Sequence, residues 1–180
     1  MEVVRSMNGI ATEKHFQDCP GGYWDGRWEA YLRQVCLFLR LLDGMHFRHG
    51  HVLEVGPGER PLVVGSQRMD KRELQIANLV VCDIENPWPW QDGAFDLVIM
   101  LQVIEHVAHD TECLVMDECK RVGSHLLLSI PYQWTGGPLD HRGLDDSYVA
   151  AVSRGVRWDL AFEMGGLNGV PRRKAYFWEW

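Results

Sequence analysis

Apolar residues recur at steps of three and four along residues 24–42, which is the spacing of an amphipathic helix. Asp25 can cap the start of this helix, and Gly44 can end it. The residues of the apolar stripe are Trp24, Trp28, Tyr31, Leu32, Val35, Leu39 and Leu42. Residues 1–22 are polar and contain glycine, so we expect a loose N-terminal arm (1–22) followed by a single domain (23–180).

Short apolar runs separated by turn residues follow this helix and predict five strands. The run at 95–100 is continuous and apolar, as in a strand that is buried on both faces. A weaker candidate ends near Met69 and Asp70. The other predicted strands cover residues 51–55, 79–82 and 125–130, and Pro131 is expected to stop the last of them.

Helical spacing and alternation complete the pattern after the fourth strand. Asp110 can cap a helix that Gly123 closes, and a short helix begins at Asp145. The final segments, 156–164 and 174–180, alternate and are separated by a cluster of glycines, so they predict a hairpin. Strands interleaved with helices indicate an α/β fold with a parallel sheet, to which the hairpin adds an antiparallel edge.

In sheets of this kind ligands bind at the carboxyl ends of the strands, where this chain has glycines and carboxylates. Gly56 and Gly58 follow the first strand and let the backbone approach a ligand closely, although a tight turn alone would also use them. The dinucleotide-binding motif requires a third glycine where this chain has Pro61, so a nicotinamide-binding protein is disfavoured. Asp70 and Asp83 follow the next two strands and can accept hydrogen bonds from a bound nucleoside, or serve in solvated loops and turns.

Candidate proton-transfer groups follow the fourth and fifth strands. Glu105 and His106 come directly after the fourth strand, and histidine titrates close to neutral pH. His141 lies in a loop after the fifth strand, where Asp140 could orient its ring. Either histidine could instead be structural and bonded to a nearby group. His141 is our first candidate for a general base, and His106 is the second.

Tryptophan is abundant, with eight residues in the chain. Trp88 and Trp90 lie in a stiff, proline-rich loop between the third and fourth strands. They could contact a substrate, but we expect them to shield the bound ligand instead. The aromatic residues near the C-terminus are expected to pack on the terminal hairpin.

Composition narrows the classes of partner and compartment. The formal net charge of the 180-residue chain is −7, and Lys and Arg form no long run, so nucleic acid is not expected as a partner. The five cysteines include no Cys-x-x-Cys pair, which disfavours a zinc ribbon and fits reduced thiols. No apolar run approaches the ~20 residues of a membrane span, and no signal core is apparent. We therefore expect a cytoplasmic protein without a membrane span.

Two blocks of sequence, together with the order of elements, resemble the class I S-adenosylmethionine-dependent methyltransferases. Residues 52–58 are similar to the glycine loop of that family. Residues 83–107, with an Asp-Gly turn, a Phe-Asp-Leu-Val strand and a Glu-His step, resemble its next motif and are the more specific block. Residues 118–131 are similar to the helix and fifth strand that follow. The resemblance implies a Rossmann-like α/β fold with a mostly parallel seven-stranded sheet and a C-terminal antiparallel hairpin.

The resemblance also implies the cofactor, S-adenosyl-L-methionine, and a role for each matching residue. The implied residues are Glu54, Gly56, Pro57 and Gly58 at the methionine end of the cofactor, Asp70 at its ribose, Asp83 and Ile84 at its adenine, and Leu101 and Gln102 beneath its sulfonium. The N-terminal helix, preceded by Tyr23 and Trp24, would cover the cofactor as a lid. No metal ion is expected.

The link between the first two strands departs from this family. Only eleven residues separate Gly58 from Asp70, whereas a helical crossover needs about ten to twelve residues at minimum. We therefore expect the helix of this link to be shortened or lost.

The methyl acceptor and the oligomeric state are left open by the sequence. A small molecule or a glycan is the expected acceptor. One alternative is a non-catalytic subunit that binds the cofactor for a partner enzyme, which would show no turnover with any acceptor. Another is an interaction module with a tryptophan-rich surface, which would expose apolar patches of roughly several hundred Å².

Overall fold

The computed structural model describes residues 9–12, 14–17, 27–43, 51–133, 144–165 and 172–180. The helices are α1 (Lys14–Gln17), α2 (Arg33–Asp43), α3 (Glu112–Val122) and α4 (Asp146–Val152), with a π-helical turn at Trp28–Leu32 and a 3₁₀ turn at Ile104–His106. The strands are β1 (Val52–Val55), β2 (Gln67–Asp70), β3 (Leu79–Val81), β4 (Leu97–Leu101), β5 (His125–Pro131), β6 (Leu160–Met164) and β7 (Arg173–Glu179).

The strands of the described residues form a seven-stranded sheet in the order β3-β2-β1-β4-β5-β7-β6. Strands β1 to β5 are parallel, while β7 is antiparallel to both β5 and β6. This arrangement confirms the predicted mostly parallel sheet with a terminal hairpin. The order of the strands reverses between β1 and β4, and a cleft opens at such a reversal, above the carboxyl ends of the two strands.

Most links between the parallel strands contain no helix. Residues 56–66, between β1 and β2, form turns and one isolated bridge. This confirms the expectation that the helix usual in this link is shortened or lost, and shows that it is lost. Residues 71–78 and 82–96 are also free of helix. Among the described links, only that between β4 and β5 contains a full crossover helix, α3. In the part of the chain that the structure describes, no helix is both long and apolar enough to cross a bilayer.

Both faces of the sheet are covered, because neighbouring residues of a buried strand point to opposite faces. Leu128 of β5 points to the face on which α3 and α4 pack. Leu127, its neighbour, points to the other face, where α2 packs together with Phe16 of α1. The sheet is therefore a central layer between two apolar cores.

The described part of the N-terminal arm is packed against the link between β1 and β2, where we expected a loose arm. The Ala11 amide donates to the Leu62 carbonyl at 2.7 Å, and the Val64 amide donates to the Gly9 carbonyl at 2.6 Å. Phe16 is buried beside the Trp28 ring. The arm thus forms hydrogen bonds with backbone groups of a link that has no helix to pair them.

The predicted first helix is present as the π-helical turn and α2. Its apolar stripe is buried as predicted at Tyr31, Leu32, Val35, Leu39 and Leu42. The expected caps, Asp25 and Gly44, lie outside the described residues, as do Tyr23 and Trp24.

Two predicted boundaries were wrong. Helix α3 begins at Glu112, and Thr111 rather than Asp110 occupies the cap position, without a side-chain cap hydrogen bond. Strand β5 continues through Pro131, which we expected to stop it. The strand tolerates this proline because β4 ends opposite Ser129, so no neighbour on that side requires an amide hydrogen from residue 131.

The six tryptophans of the described residues are buried or half-buried. As predicted, those near the C-terminus pack on the hairpin. The ring centroid of Trp158 lies 5.0 Å from that of Tyr176, and Trp178 and Trp180 are 5.7 Å apart. Within the described residues, the tryptophans therefore form no exposed aromatic surface.

Candidate active site

An open cleft of about 1190 Å³ lies at the carboxyl ends of the parallel strands. Tyr31 and Leu32, from the π-helical turn before α2, close it on one side. Its wall comes mainly from residues at or just after the ends of four strands, which are 54–60, 62, 70–72, 83–85, 101–103 and 105–109. The cleft brings together all the predicted cofactor-binding residues from Glu54 to Gln102.

The glycine turn after β1 requires glycine at position 56. Gly56 has φ +61°, in the left-handed region that side chains disfavour. A Cβ atom at this position would lie 2.6 Å from Cγ2 of Val103, on the opposite wall of the cleft. Gly58 has the same φ. The two glycines therefore allow the backbone to turn at the cleft, and Gly56 lets it pack closely against Val103.

Glu54 is buried at the end of β1, and its carboxylate holds the link that replaces the missing helix. One carboxylate oxygen accepts from the Leu62 amide at 2.6 Å, and the other accepts from the Val63 amide at 2.9 Å and the Ser66 hydroxyl at 2.6 Å. Burial raises the pKa of Glu54, and these hydrogen bonds, with Arg68 nearby, offset only part of that effect. Most of the acceptor capacity of this carboxylate is used within the chain.

Asp70 lies at the end of β2 with its carboxylate paired to Arg72. The Arg72 guanidinium donates to both carboxylate oxygens, at 3.0 and 2.9 Å, and the Arg72 amide donates at 3.0 Å. Burial acts to raise the pKa of Asp70, but the Arg72 bonds outweigh it and hold the pKa below its usual value. The Arg72 side chain is 60% exposed, so it can move aside without a large loss of packing.

Asp83 and Ile84 lie beside each other on the rim of the cleft after β3. Asp83 is exposed and accepts from the Glu85 amide at 3.2 Å, which leaves acceptor positions on its carboxylate. Trp88 lies behind this rim in the core, and its indole N–H donates to the Ile84 carbonyl at 3.0 Å. Neither Trp88 nor Trp90 is among the described lining residues, so neither shields the cleft directly. Trp88 supports Ile84 from behind.

Leu101 and Gln102 end β4 at the floor of the cleft. Gln102 has φ +57°, and its side chain is held at both ends. Its amide nitrogen donates to the Ser129 hydroxyl at 3.0 Å, and its amide oxygen accepts from Nε of Arg173 at 3.0 Å. The Arg173 guanidinium lies 4.3 Å from the centroid of the Tyr31 ring, which is a cation–π contact.

Glu105 is buried in the 3₁₀ turn that follows β4 and lines the cleft. Its Oε2 atom is buried and has no hydrogen-bond partner among the described residues. Burial raises the pKa of Glu105 to about 8, against a smaller lowering effect of the Arg173 charge. This carboxyl group therefore holds its proton at neutral pH.

The structure describes one of the two histidines predicted as general bases. His106 is exposed and lines the cleft beside Glu105. His141 and the neighbouring Asp140 lie outside the described residues. No group of three or more His, Cys, Asp or Glu side chains in the described residues is arranged to hold a metal ion.

A match to a known protein family covers the same part of the chain that forms most of the cleft wall. A family model described as "Methyltransferase domain" matches residues 37–125, about half of the chain, from α2 to the start of β5. The matched range contains every described residue of the cleft wall after β1, β2, β3 and β4. The chain belongs to the class I S-adenosylmethionine-dependent methyltransferases.

Solved methyltransferase structures share this fold at low sequence identity. A SAM-dependent methyltransferase from Aquifex aeolicus is 17% identical, with a TM-score of 0.59 over 85% of this chain and 92% of that one. The 1,6-didemethyltoxoflavin-N1-methyltransferase of Burkholderia thailandensis, solved with its acceptor and S-adenosylhomocysteine, is 14% identical, with a TM-score of 0.63 over 87% and 82%. The N-methyltransferase NodS of Bradyrhizobium japonicum WM9, in complex with S-adenosylhomocysteine, is 13% identical, with a TM-score of 0.63 over 82% and 85%. No curated protein sequence matches this chain at a significant level.

The cofactor of this methyltransferase is S-adenosylmethionine. The residues that hold the site in place include some that the sequence analysis did not predict. Arg173 of β7 is not among the described lining residues, but it holds Gln102 of the cleft wall through a hydrogen bond across 71 positions of the chain. Ser66 and Arg68 lie beneath the first link and contact Glu54 and Val63. The alternating pattern of the hairpin predicts which residues of β7 share a face. It does not predict which residues near the end of β4 they contact.

Proposed function

We propose that this methyltransferase transfers the methyl group of S-adenosylmethionine to a small-molecule or glycan acceptor bound in the same cleft. The observation that carries this proposal is the left-handed turn at Gly56 in the cleft wall, where a Cβ atom would collide with the Val103 side chain. A turn of this kind presents backbone amides to a ligand that approaches closely.

The residues of the cleft fit the cofactor. The Gly56, Pro57 and Gly58 backbone, on the link that Glu54 anchors, would hold the methionine end. Asp70 would accept from the ribose hydroxyls once Arg72 moves aside, and Asp83 would accept from the adenine amine, with Ile84 against the ring. Leu101 and Gln102 would form the floor beneath the sulfonium. Bound S-adenosylmethionine supplies a methyl group activated by a positively charged sulfur.

The acceptor would lie on the side of the cleft formed by the end of β4, where Arg173 of β7 holds Gln102 in place. Drug-sized ligands occupy pockets of about 300–1,000 Å³, and the cleft, at about 1190 Å³, is large enough for a cofactor and a small acceptor together. Positioning of the two reactants can supply up to ~7–11 kcal/mol of the barrier reduction. The sequence predicts His106, and His141 outside the described residues, as candidate general bases, and their role stays a prediction.

We also propose that the enzyme acts in the cytoplasm as a single domain over residues 23–180. The cysteines in the described residues, Cys36, Cys82, Cys113 and Cys119, are free thiols, which supports a reducing compartment. The half-buried and buried tryptophans of the described residues favour an enzyme over an interaction module.

Isothermal calorimetry tests the cofactor site. We expect saturable binding of S-adenosylmethionine and S-adenosylhomocysteine and no binding of NAD⁺. Gly56→Arg should abolish binding, because its side chain would fill the gap beside Val103, and Asp83→Ala should weaken it about tenfold, the effect of roughly 1.4 kcal/mol. No binding of either sulfur ligand at millimolar concentration to the folded protein would contradict the proposal.

Turnover separates an enzyme from a cofactor-binding subunit. Transfer of radiolabelled methyl groups to a panel of amines, phenols and sugars is expected for the wild-type enzyme. Saturable cofactor binding without transfer to any acceptor, alone or with candidate partner proteins, would favour the non-catalytic alternative.

A further inference from the structure

Glu105 is a buried acid with an unused hydrogen-bonding atom in the wall of the cleft. The residue is 3% exposed, and within the part of the chain that the structure describes its Oε2 atom has no hydrogen-bond partner. Buried polar atoms in folded proteins are nearly always hydrogen-bonded, so an unmatched one at a cleft marks a place where a ligand atom can bind. The atom can accept a hydrogen bond when the carboxylate is ionised.

The surroundings of Glu105 allow it to exist in either protonation state. Burial favours the neutral acid, whereas the backbone amide of Glu105 itself and, to a smaller extent, the Arg173 guanidinium on β7 favour the carboxylate. Among the described residues, Arg173 is the charged side chain with a resolved effect on Glu105, and it is held in place by Gln102 and Tyr31. His106, next in the chain, is exposed on the same wall. Because these effects oppose each other, a positively charged ligand beside the carboxyl group can make it release its proton, and loss of that charge lets it take a proton up again.

The topology puts Glu105 on the acceptor side of the cleft. The glycine turn, Asp70 and Asp83 follow β1, β2 and β3, which lie to one side of the strand-order reversal. Glu105 follows β4, and Arg173 begins β7, and both strands lie on the other side. The two halves meet at Gln102 and Val103, across from Gly56.

We propose that Glu105 is the catalytic residue that takes the proton of the methyl acceptor, so the acceptor reacts through an amine nitrogen or a hydroxyl oxygen that carries a hydrogen. This inference rests on the proposed function. The acceptor atom forms a bond to the methyl carbon while the bond from that carbon to sulfur breaks, and the sulfur keeps the electron pair of that bond. Binding of the positively charged cofactor first displaces the Glu105 proton to water. The acceptor proton then passes to the Glu105 carboxylate and restores the neutral acid, so the positive charge of the sulfonium has left with the first proton.

Sinefungin tests this role without knowledge of the acceptor. In this analogue of S-adenosylmethionine, a carbon that carries an amine replaces the methylated sulfur, so an N–H donor stands where the methyl group would be. S-adenosylhomocysteine is the matched ligand that lacks the amine. Calorimetry of both ligands in buffers of different ionisation enthalpy gives the affinity and the number of protons released on binding.

At pH 7 we expect sinefungin to release about one proton from the wild-type protein, because its ammonium group ionises Glu105, and S-adenosylhomocysteine to release none. In Glu105→Gln the proton release should disappear and the affinity for sinefungin should fall at least tenfold relative to that for S-adenosylhomocysteine. Glu59→Gln, which removes an exposed carboxylate from the same cleft, should leave the ratio of the two affinities unchanged.

Several outcomes would overturn the inference. Equal losses for both ligands in Glu105→Gln would mean a structural role, and an unchanged ratio with unchanged proton release would mean no role at the methyl site. If Glu105→Gln does not fold, Glu105→Leu replaces it, and absence of proton release from the wild-type protein with sinefungin is decisive by itself. Failure of the wild-type protein to bind S-adenosylhomocysteine would overturn the proposed function and, with it, this inference.

Discussion

At the scale of single residues, the cleft contains residue types that their surroundings would not ordinarily favour. Gly56 and Gly65 both have positive φ, but their surroundings differ. A Cβ atom at Gly56 would meet the Val103 side chain, whereas a Cβ atom at Gly65 would have no neighbour within 4 Å among the described residues. Glu105 is an acid at a position where burial would favour an apolar residue. Departures from local preference of this kind concentrate at functional sites.

Gly56→Ala should destabilise the protein more than Gly65→Ala. Both substitutions force a side chain into the left-handed region, at a cost of about 1–2 kcal/mol. Gly56→Ala also places Cβ 2.6 Å from Val103 Cγ2, and overpacking of this kind costs about 1–3 kcal/mol more. Urea denaturation measures both, with Gly65→Ala as the control for strain alone. Equal losses would mean that Val103 moves aside without cost.

Glu105 should make the stability of the protein fall as the pH rises. Its pKa is about 8 in the folded chain, whereas the ordinary value is 4.5. Between these values the folded state keeps a proton that the unfolded state has released, so higher pH favours unfolding. We expect the free energy of unfolding of the wild-type protein to fall, relative to Glu105→Gln, by at most ~1.4 kcal/mol per pH unit between pH 5 and 8. Urea denaturation at pH 5, 6.5 and 8 measures the difference, and parallel profiles would contradict the prediction.

At the scale of elements, an ordered link replaces a helix between β1 and β2. A helix satisfies its own backbone amides, but the turns of residues 56–66 cannot do so. Glu54 accepts from two of these amides, and the N-terminal arm pairs with Leu62 and Val64. The glycine turn is therefore held in position by a buried carboxylate and a strand-like arm.

Glu54→Gln should loosen this link. Glutamine has one carbonyl oxygen, so one of the amides of Leu62 and Val63 would face an NH₂ group and be left buried without an acceptor, at a cost of about 1–3 kcal/mol. Hydrogen exchange at these two amides should accelerate, and the affinity for S-adenosylhomocysteine should fall. Ser66→Ala is the control, because it removes a hydroxyl and leaves both amides paired; its expected cost is about 0.5–1.5 kcal/mol. Unchanged exchange in Glu54→Gln would show that the link is held by other contacts.

At the scale of the whole molecule, the C-terminal hairpin completes both the core and the cleft. Strand β7 pairs with β5 along seven residues, from His125 with Glu179 to Pro131 with Arg173. One face of β7 buries Tyr176 and Trp178 against the core, while Arg173, at its start, reaches Gln102 and Tyr31. The element farthest along the chain from the glycine turn therefore helps to shape the same site.

Trp178→Ala should destabilise the whole domain by about 3–5 kcal/mol, because the side chain is completely buried and its removal leaves a large cavity. Its indole N–H also donates to the Val156 carbonyl at 3.2 Å. Leu41→Ala, at a position that is 73% exposed, should change the stability by no more than about 0.5 kcal/mol. Urea denaturation followed by circular dichroism measures both. A small effect of Trp178→Ala would mean that the hairpin is not part of the cooperative unit.

The sequence by itself determined the order of the strands along the chain, the glycine turn, and that the first crossover helix is shortened or lost. Continuous apolar runs identify buried strands, the glycines identify a backbone turn, and eleven residues are too few for a strand link with a normal helix. These are local properties, since each depends on residues that are neighbours in the chain.

Only the tertiary structure decided what surrounds each functional side chain. It decided that Glu54 holds the first link, that Glu105 is buried with a free oxygen, and that Arg173 meets Gln102. The physical reason is that burial and pairing come from contacts between distant segments, above all from the antiparallel return of β7 along β5. A sequence pattern indicates which face of a strand a residue occupies, but the register between strands determines what that residue contacts.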